Sequence, residues 1–373
     1  MLYIHIPFCK SRCIYCSFFS STNENLRHKY IDCLCKEIAD RKNYLSDNQL
    51  DTIYFGGGTP SLLSANDFAK IFSAINQNFV VKPYSEITLE CNPDDLSQDY
   101  ISMLKSFPFN RVSVGIQSFN DNELDFLNRR HNASSAKIAV KNLQHAGFKN
   151  ISVDLMFGLP NQTLQSWESS INEAIRLNIQ HISCYALSYE KGTKLDLLRK
   201  NNSVQEISDD LSEKMFELLI KKLKKAVFEH YEISNFCLPN FHSRHNSAYW
   251  QLVDYLGVGA SAHSFNGAER RWNIANIEKY CAGLEAEKNY FETEILTQKD
   301  RYNEFIFLSL RTKKGLDLQK LKQDFGEKDY NFCLASAQKY LDAKKMIIVD
   351  NFLIINEKAI FISDMIMSDL MKV

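Results

Sequence analysis

Tyr3-Ile4-His5-Ile6-Pro7-Phe8-Cys9-Lys10-Ser11-Arg12-Cys13-Ile14-Tyr15-Cys16-Ser17-Phe18 carries an apolar, strand-like run straight into three cysteines at spacing C-x3-C-x2-C. Three thiols this close cannot all pair as disulfides, and the short spacing suits ligands converging on one metal centre. A closed zinc site wants four protein ligands, so the fourth would have to come from His5 or a distant cysteine. A cubane iron–sulfur cluster takes thiolates as its protein ligands, and with three of them one iron keeps an open position for a small molecule. Spacing alone leaves both readings open.

Outward from this loop, apolar runs alternate with segments of helical period. The strand-like runs are Leu2 to Pro7, Thr52 to Phe55, Ile87 to Cys91, Arg111 to Ile116, Ile151 to Phe157 and His181 to Ser188. Helical candidates lie near 27–44, 66–77, 97–106, 121–145, 164–178 and 206–229. Continuous apolar strands separated by helices predict an α/β fold with a covered parallel sheet, here a partial (β/α)6 barrel over residues 1–230. Chemistry in such folds collects at the carboxyl ends of the strands. The cysteine loop follows the first strand, Gly56-Gly57-Gly58-Thr59 the second, Glu90-Cys91-Asn92 the third, Gln117-Ser118 the fourth, and Asp154 with Gly158 the fifth, so all should share one rim. Residues 231–296 read as an extension covering the open side of the barrel. Residues 297–373 read as a small helical, winged-helix-like domain, with helices at 298–310, 316–324 and 330–343, short runs at 346–349 and 352–355, and a last helix from Ser363.

Composition narrows the class. The chain has 373 residues, 45% of them hydrophobic, and a net charge of −1. It therefore offers ample core but no basic footprint for nucleic acid. No apolar run is long enough to span a bilayer, and the amino terminus lacks the features of a signal peptide. The remaining seven of ten cysteines are scattered (Cys33, Cys35, Cys91, Cys184, Cys237, Cys281, Cys333), which fits reduced thiols and a cytoplasmic protein.

Four further features are candidates for holding a small molecule. Three consecutive glycines after a strand let backbone approach a ligand, and Thr59 adds a hydroxyl; the same residues also suit a tight turn. Glu90 and Asp154 sit at strand ends, where each can accept from hydroxyl or amino groups or act as a cap or surface acid. Gln117 carries the same ambiguity. Arg129 can hold a carboxylate through its planar fork, or solvate a helix.

Cys9, Cys13 and Cys16, with Tyr15 just before the last, resemble the signature of the radical S-adenosylmethionine (radical SAM) superfamily. That resemblance implies a [4Fe-4S] cluster on the three cysteines and S-adenosylmethionine (SAM) on the fourth iron. YIHIPFC, FGGGTPS, ECNPD, VSVGIQSF, LNRRH, VDLMFGLPNQT and YEISNF, in order from residue 3 to 236, are similar to the branch that holds oxygen-independent coproporphyrinogen III oxidases and HemW haem chaperones. Carried over from it, the SAM contacts are Tyr3, Tyr15, Gly57, Gly58, Thr59, Glu90, Gln117, Arg129 and Asp154. Inside the branch, the oxidases resemble C-x3-C-x2-C-x-C preceded by a longer amino-terminal region; here Phe18 takes the place of the fourth cysteine and eight residues precede Cys9. Arg244-His245-Asn246-Ser247-Ala248-Tyr249-Trp250 matches the HNxxYW motif of the chaperones, which implies His245 as a haem-iron ligand with Asn246, Tyr249 and Trp250 about the macrocycle; the residues alone equally suit a hydrogen-bonded, core-filling helix. His242 and His263 stand nearby. The resemblance thus implies a haem chaperone that hands haem to an acceptor protein, leaving peripheral membrane contact open and naming no electron donor. The alternatives are radical decarboxylation of a porphyrinogen propionate and a zinc-stabilised binding protein.

Overall fold

Six parallel strands form the middle of the molecule because each is apolar enough to be buried on both faces. The computed structural model describes residues 1–373. In chain order come β1 (Leu2–Ile6), α1 (Arg27–Asp40), β2 (Gln49–Gly57), α2 (Ala65–Asn78), β3 (Val80–Cys91), α3 (Gln98–Leu104), β4 (Arg111–Gln117), α4 (Asp121–Phe126), α5 (Ala133–His145), β5 (Ile151–Phe157), α6 (Leu164–Arg176) and β6 (His181–Ala186). Each strand from β1 to β6 pairs in parallel with the next. Their carboxyl ends form one rim, as the alternation predicts.

The crossover helices start on caps that the sequence supplies. Ser64 and Asp67 form a reciprocal capping box at α2, as Thr163 and Ser166 do at α6. Past its cap, α2 buries Phe68, Ile71, Phe72 and Ile75, spaced three and four apart, against the sheet. Phe68 meets Phe55 of β2 and Phe109 edge-on, with ring centroids 5.8 and 5.1 Å apart. Burying each such side chain contributes roughly 2 kcal/mol.

The single helix expected over 121–145 is two helices. Asn128 takes a left-handed backbone (φ 60°), a conformation asparagine tolerates, and Asn132 caps α5 with Ser135. The break between α4 and α5 turns residues 127–132 toward the rim.

The segment expected to cover the open side supplies edge strands to the main sheet. After α7 (Lys194–Lys200) and α8 (Asp209–Lys225) come β7 (Glu229–Glu232), β8 (Asn235–Cys237), α9 (Arg244–Trp250) and β9 (Leu256–Val258). Strand β8 pairs antiparallel with β6, and β9 pairs parallel with β1. The nine-stranded order is β7-β8-β6-β5-β4-β3-β2-β1-β9, so both edges of the six-stranded sheet are paired. A small antiparallel sheet follows, β10 (His263–Phe265), β11 (Glu269–Asn273) and β12 (Phe291–Ile295), with α10 (Ile277–Glu285) between its last two strands.

A buried ionic knot ties this segment to α1. Glu37, fully buried, accepts from Gly259 N (2.8 Å), Asn273 Nδ2 (2.8 Å) and Tyr280 Oη (2.6 Å), and pairs with Arg41 (3.2 Å). Arg41 in turn donates to Gly257 O and Ser264 Oγ.

The last part of the chain has its own core of 17 buried residues, beside 59 in the main one. It comprises α11 (Gln298–Leu310), β13 (Leu316–Asp317), α12 (Leu318–Asp342), β14 (Met346–Val349), β15 (Phe352–Ile355) and α13 (Ser363–Leu370). The two helices expected at 316–324 and 330–343 are both present within α12, separated at Gly326, where the backbone leaves helical geometry (φ 85°, ψ 173°). This unit joins the main sheet through backbone bonds from Ile233 N to Arg311 O and from Lys313 N to Tyr231 O, each 3.0 Å. No helix is long and apolar enough to cross a membrane.

Candidate functional site

The cysteine loop leaves β1 and is drawn back to it by two backbone bonds, Cys9 N to Ser21 O (3.0 Å) and Ser21 N to Pro7 O (2.7 Å). Cys9, Cys13 and Cys16 line one cavity of about 470 Å³, which falls in the range of small-molecule sites. Among the expected cofactor residues, Tyr15, Gly57, Gly58, Thr59, Glu90, Gln117, Arg129 and Asp154 line the same cavity. Tyr3 does not. Its hydroxyl bonds His5 Nδ1 (3.1 Å) and its ring stacks on Tyr54 at 6.2 Å, so it supports the wall from behind.

The glycine turn is pressed against the cysteine loop. A Cβ on Gly58 would lie 2.8 Å from Phe8 O, 2.9 Å from Ile6 O and 3.0 Å from Cys9 Sγ. Gly57 holds a left-handed backbone (φ 109°) over the His5 ring. No other residue fits this approach without moving backbone. Thr59 Oγ1 donates to Cys9 Sγ at 3.4 Å.

Across the cavity stand two buried carboxylates. Tyr54 Oη (2.6 Å) and Gly57 N (3.2 Å) donate to Glu90, yet burial pushes its carboxyl up to about 7. Burial also raises Asp154, to which Ser113 Oγ donates at 3.3 Å. Such groups are ready to accept from hydroxyl or ammonium groups of a ligand.

The turn between α4 and α5 delivers the cation. Asn128 Nδ2 donates to Arg12 O (2.8 Å) and Ile14 N to Leu127 O (3.3 Å), locking this turn to the cysteine loop. Arg129 then reaches Cys13 Sγ (3.3 Å) and Gly115 O, so it does not solvate a helix. Its Nε is buried without a partner, as is Asn92 Oδ1 in the same wall. Gln117 sits beside it with a left-handed backbone (φ 74°), the kind of strain that gathers at ligand sites.

The donor set fits a cluster with a chelating small molecule. Burial raises the thiols of Cys9 and Cys16, a penalty that iron relieves by taking them as thiolates. No three His, Cys, Asp or Glu side chains converge tightly enough to hold a single ion. A zinc ion would draw its sulfurs to about 2.3 Å from one point, whereas a cubane gives each thiolate its own iron and a wider triangle.

Residues the sequence reading passed over complete the wall: Ser113, Met156 and Tyr185 line the cavity, and Tyr54 orients Glu90. Their signal was present in the alternation of strand faces, which puts Ser113 beside Gly115 and Gln117.

The histidine motif is placed elsewhere. His245 on α9 packs beside β2 and β3: its Nδ1 is 2.7 Å from Thr52 Oγ1, its Nε2 is 3.0 Å from Tyr249 Oη, and its ring stacks at 5.0 Å on Tyr54, which donates to Glu90. It is 1% exposed, and Glu86 accepts from its backbone N–H. Both ring nitrogens are hydrogen-bonded within the protein. Tyr249 shares that interior with it. Asn246 N is bonded to the Ser243 cap, while Trp250 lines a second, larger cleft.

Residues 3–174 match the Radical SAM superfamily and residues 296–362 match the HemN C-terminal domain. "Heme chaperone HemW" of Lactococcus lactis is 34% identical over 323 residues, spanning 87% of this chain and 84% of that protein. The Bacillus subtilis protein of the same name is 36% identical over 330 residues, spanning 87% and 86%. Among solved structures, the coproporphyrinogen III oxidase HemN of Escherichia coli, described as a radical SAM enzyme, superposes with a TM-score of 0.86 over all of this chain and 89% of that one. At 21% identity this is likeness of fold.

Proposed function

The chain belongs to the radical SAM superfamily and, within it, to the family of the heme chaperone HemW, and on that premise we propose that it binds a [4Fe-4S] cluster and SAM, carries haem, and delivers it to an acceptor protein. The observation that supports the cofactor part is the convergence of three cysteines, a glycine turn, Arg129 and two buried carboxylates on one cavity. Cys9, Cys13 and Cys16 would hold three irons. Arg129 has a buried, unused donor for a carboxylate, while Glu90 and Asp154 accept from amino or ribose groups. When bound, the cluster and SAM supply a one-electron donor and a radical precursor. The loop at 127–132 and the Gly57–Thr59 turn hold the thiols in register and exclude bulk water from behind them.

Phe18 lines the same cavity and is 67% exposed, in the place where the oxidase pattern has a fourth cysteine. That favours transport over decarboxylation. The test is anaerobic: haem-loaded protein is mixed with an apo b-type cytochrome, and coproporphyrinogen III with SAM and reductant is offered in parallel. Haem should pass to the cytochrome faster than it leaves the protein in buffer, with no decarboxylated product. Robust product, or no transfer, overturns the reading.

A further inference from the structure

A cleft of about 1060 Å³, larger than the cluster cavity, lies between the main sheet and the carboxyl-terminal unit. We propose that this cleft is the haem site, with His242 as the axial ligand and the 301–314 cations as partners of the two propionates; the assignment rests on the haem-carrier reading above.

Three observations carry it. The first is shape and lining. Tyr231, Trp250 and Phe265 stand on the side of the main sheet, with Phe305, Phe325 and Phe352 on the other, so aromatic faces flank the space from both cores. A cleft above the roughly 300–1,000 Å³ of ordinary small-molecule sites suits a large flat macrocycle. The second is the imidazole. His242 lines the cleft and is 40% exposed; Glu229 Oε2 lies 3.2 Å from its Nε2, and the Tyr231 ring packs against it edge-on at 4.6 Å. A carboxylate lies close to one ring nitrogen, and the other, Nδ1, has no partner in the protein. An imidazole nitrogen without a partner is the usual axial ligand for haem iron. His245, by contrast, has both nitrogens engaged in the interior.

The third observation is charge. Arg301, Lys313 and Lys314 line the cleft and none has a carboxylate partner, although Arg270, Lys320 and others nearby are paired. The indole N–H of Trp250 is buried without an acceptor. Unpaired cations and an orphan donor beside an aromatic space match a planar ligand with two carboxylates. The walls come from separate cores joined at residues 231–233 and 311–313. A shift of one core against the other would therefore open the cleft for release.

The test is haem titration followed in the Soret region on wild type, His242→Ala, His245→Gln and the double variant Lys313→Glu/Lys314→Glu, each checked for folding by far-UV circular dichroism. His242→Ala should weaken haem binding at least tenfold and shift the Soret maximum. The lysine pair should weaken binding severalfold without moving the maximum, and folded His245→Gln should retain the wild-type spectrum. A wild-type spectrum and affinity in His242→Ala, or loss of the axial ligand in folded His245→Gln, removes the site from the cleft while leaving the carrier reading intact. Failure of the wild type itself to bind haem overturns the carrier reading.

Discussion

Moving the iron-free chain from about pH 7.5 to about pH 5 should cost several kcal/mol of folding stability, on the order of 1.36 kcal/mol per pH unit for each buried histidine. Burial depresses His5 and His131 to about 4 and His245 to about 3. Each is neutral in the folded state and takes a proton near 6.5 once unfolded. A depressed folded value contributes stability that is fully present above about 6.5 and is lost as pH falls toward the folded value. At about 1.36 kcal/mol per pH unit, each histidine withdraws about 2 kcal/mol by pH 5. Glu90 acts with the opposite sign. Its folded value, raised to about 7, contributes stability below about 4.5 that is lost as pH rises through 7, so acid restores it and offsets roughly one histidine. Against a typical total of about 5–15 kcal/mol the remainder is large. Urea unfolding at the two pH values checks it: the midpoint should fall sharply at pH 5, and an unchanged midpoint would contradict the burial of these imidazoles.

Glu37→Ala is expected to destabilise the protein by about 5 kcal/mol. The substitution leaves Arg41 as a buried, unpaired charge, which alone costs about 3–5 kcal/mol. It also orphans Gly259 N, Asn273 Nδ2 and Tyr280 Oη, of which Asn273 keeps one further acceptor, Gly259 O. The damage is specific in place. Those partners belong to the segment carrying β9, so the β1 edge should loosen first, and β1 leads into the cysteine loop. Urea titration and amide exchange at residues 256–260 measure both effects. A loss below about 1 kcal/mol would show that the knot is not a support of the fold.

The parallel sheet was readable because β4 and β5 are buried along nearly their whole length and contain the apolar runs that burial requires. The cysteine triplet, the glycine turn and Glu90 were readable for a related reason: each ends a strand, and strand ends share a rim, whereas Asp154 sits mid-way along β5. Arg129 was a candidate by its residue type and motif, but its place on a turn was hidden, since Leu124 and Leu127 continue an apolar spacing that runs on into α5. Only the left-handed Asn128 and the Asn132 cap reveal the break. The edge strands β7, β8 and β9 have three or four residues each, too few for a period to register. His245 illustrates the limit of a motif. Tyr249, one helical turn on, was visible as a partner, but Thr52 lies 193 positions away and no local pattern connects them. Strand alternation likewise gives the face Tyr3 points to but not its depth behind Tyr54.

The central claim is that the cavity at the rim holds a cluster with one iron open to SAM. Electron paramagnetic resonance of the anaerobically reconstituted, dithionite-reduced protein, with and without SAM, tests it most directly. The account predicts a reduced [4Fe-4S] signal in the wild type that changes on adding SAM, that is lost in Cys16→Ala, and whose response to SAM is weakened in Arg129→Ala. A protein that takes up zinc but no iron, or a cluster signal indifferent to SAM, would contradict it.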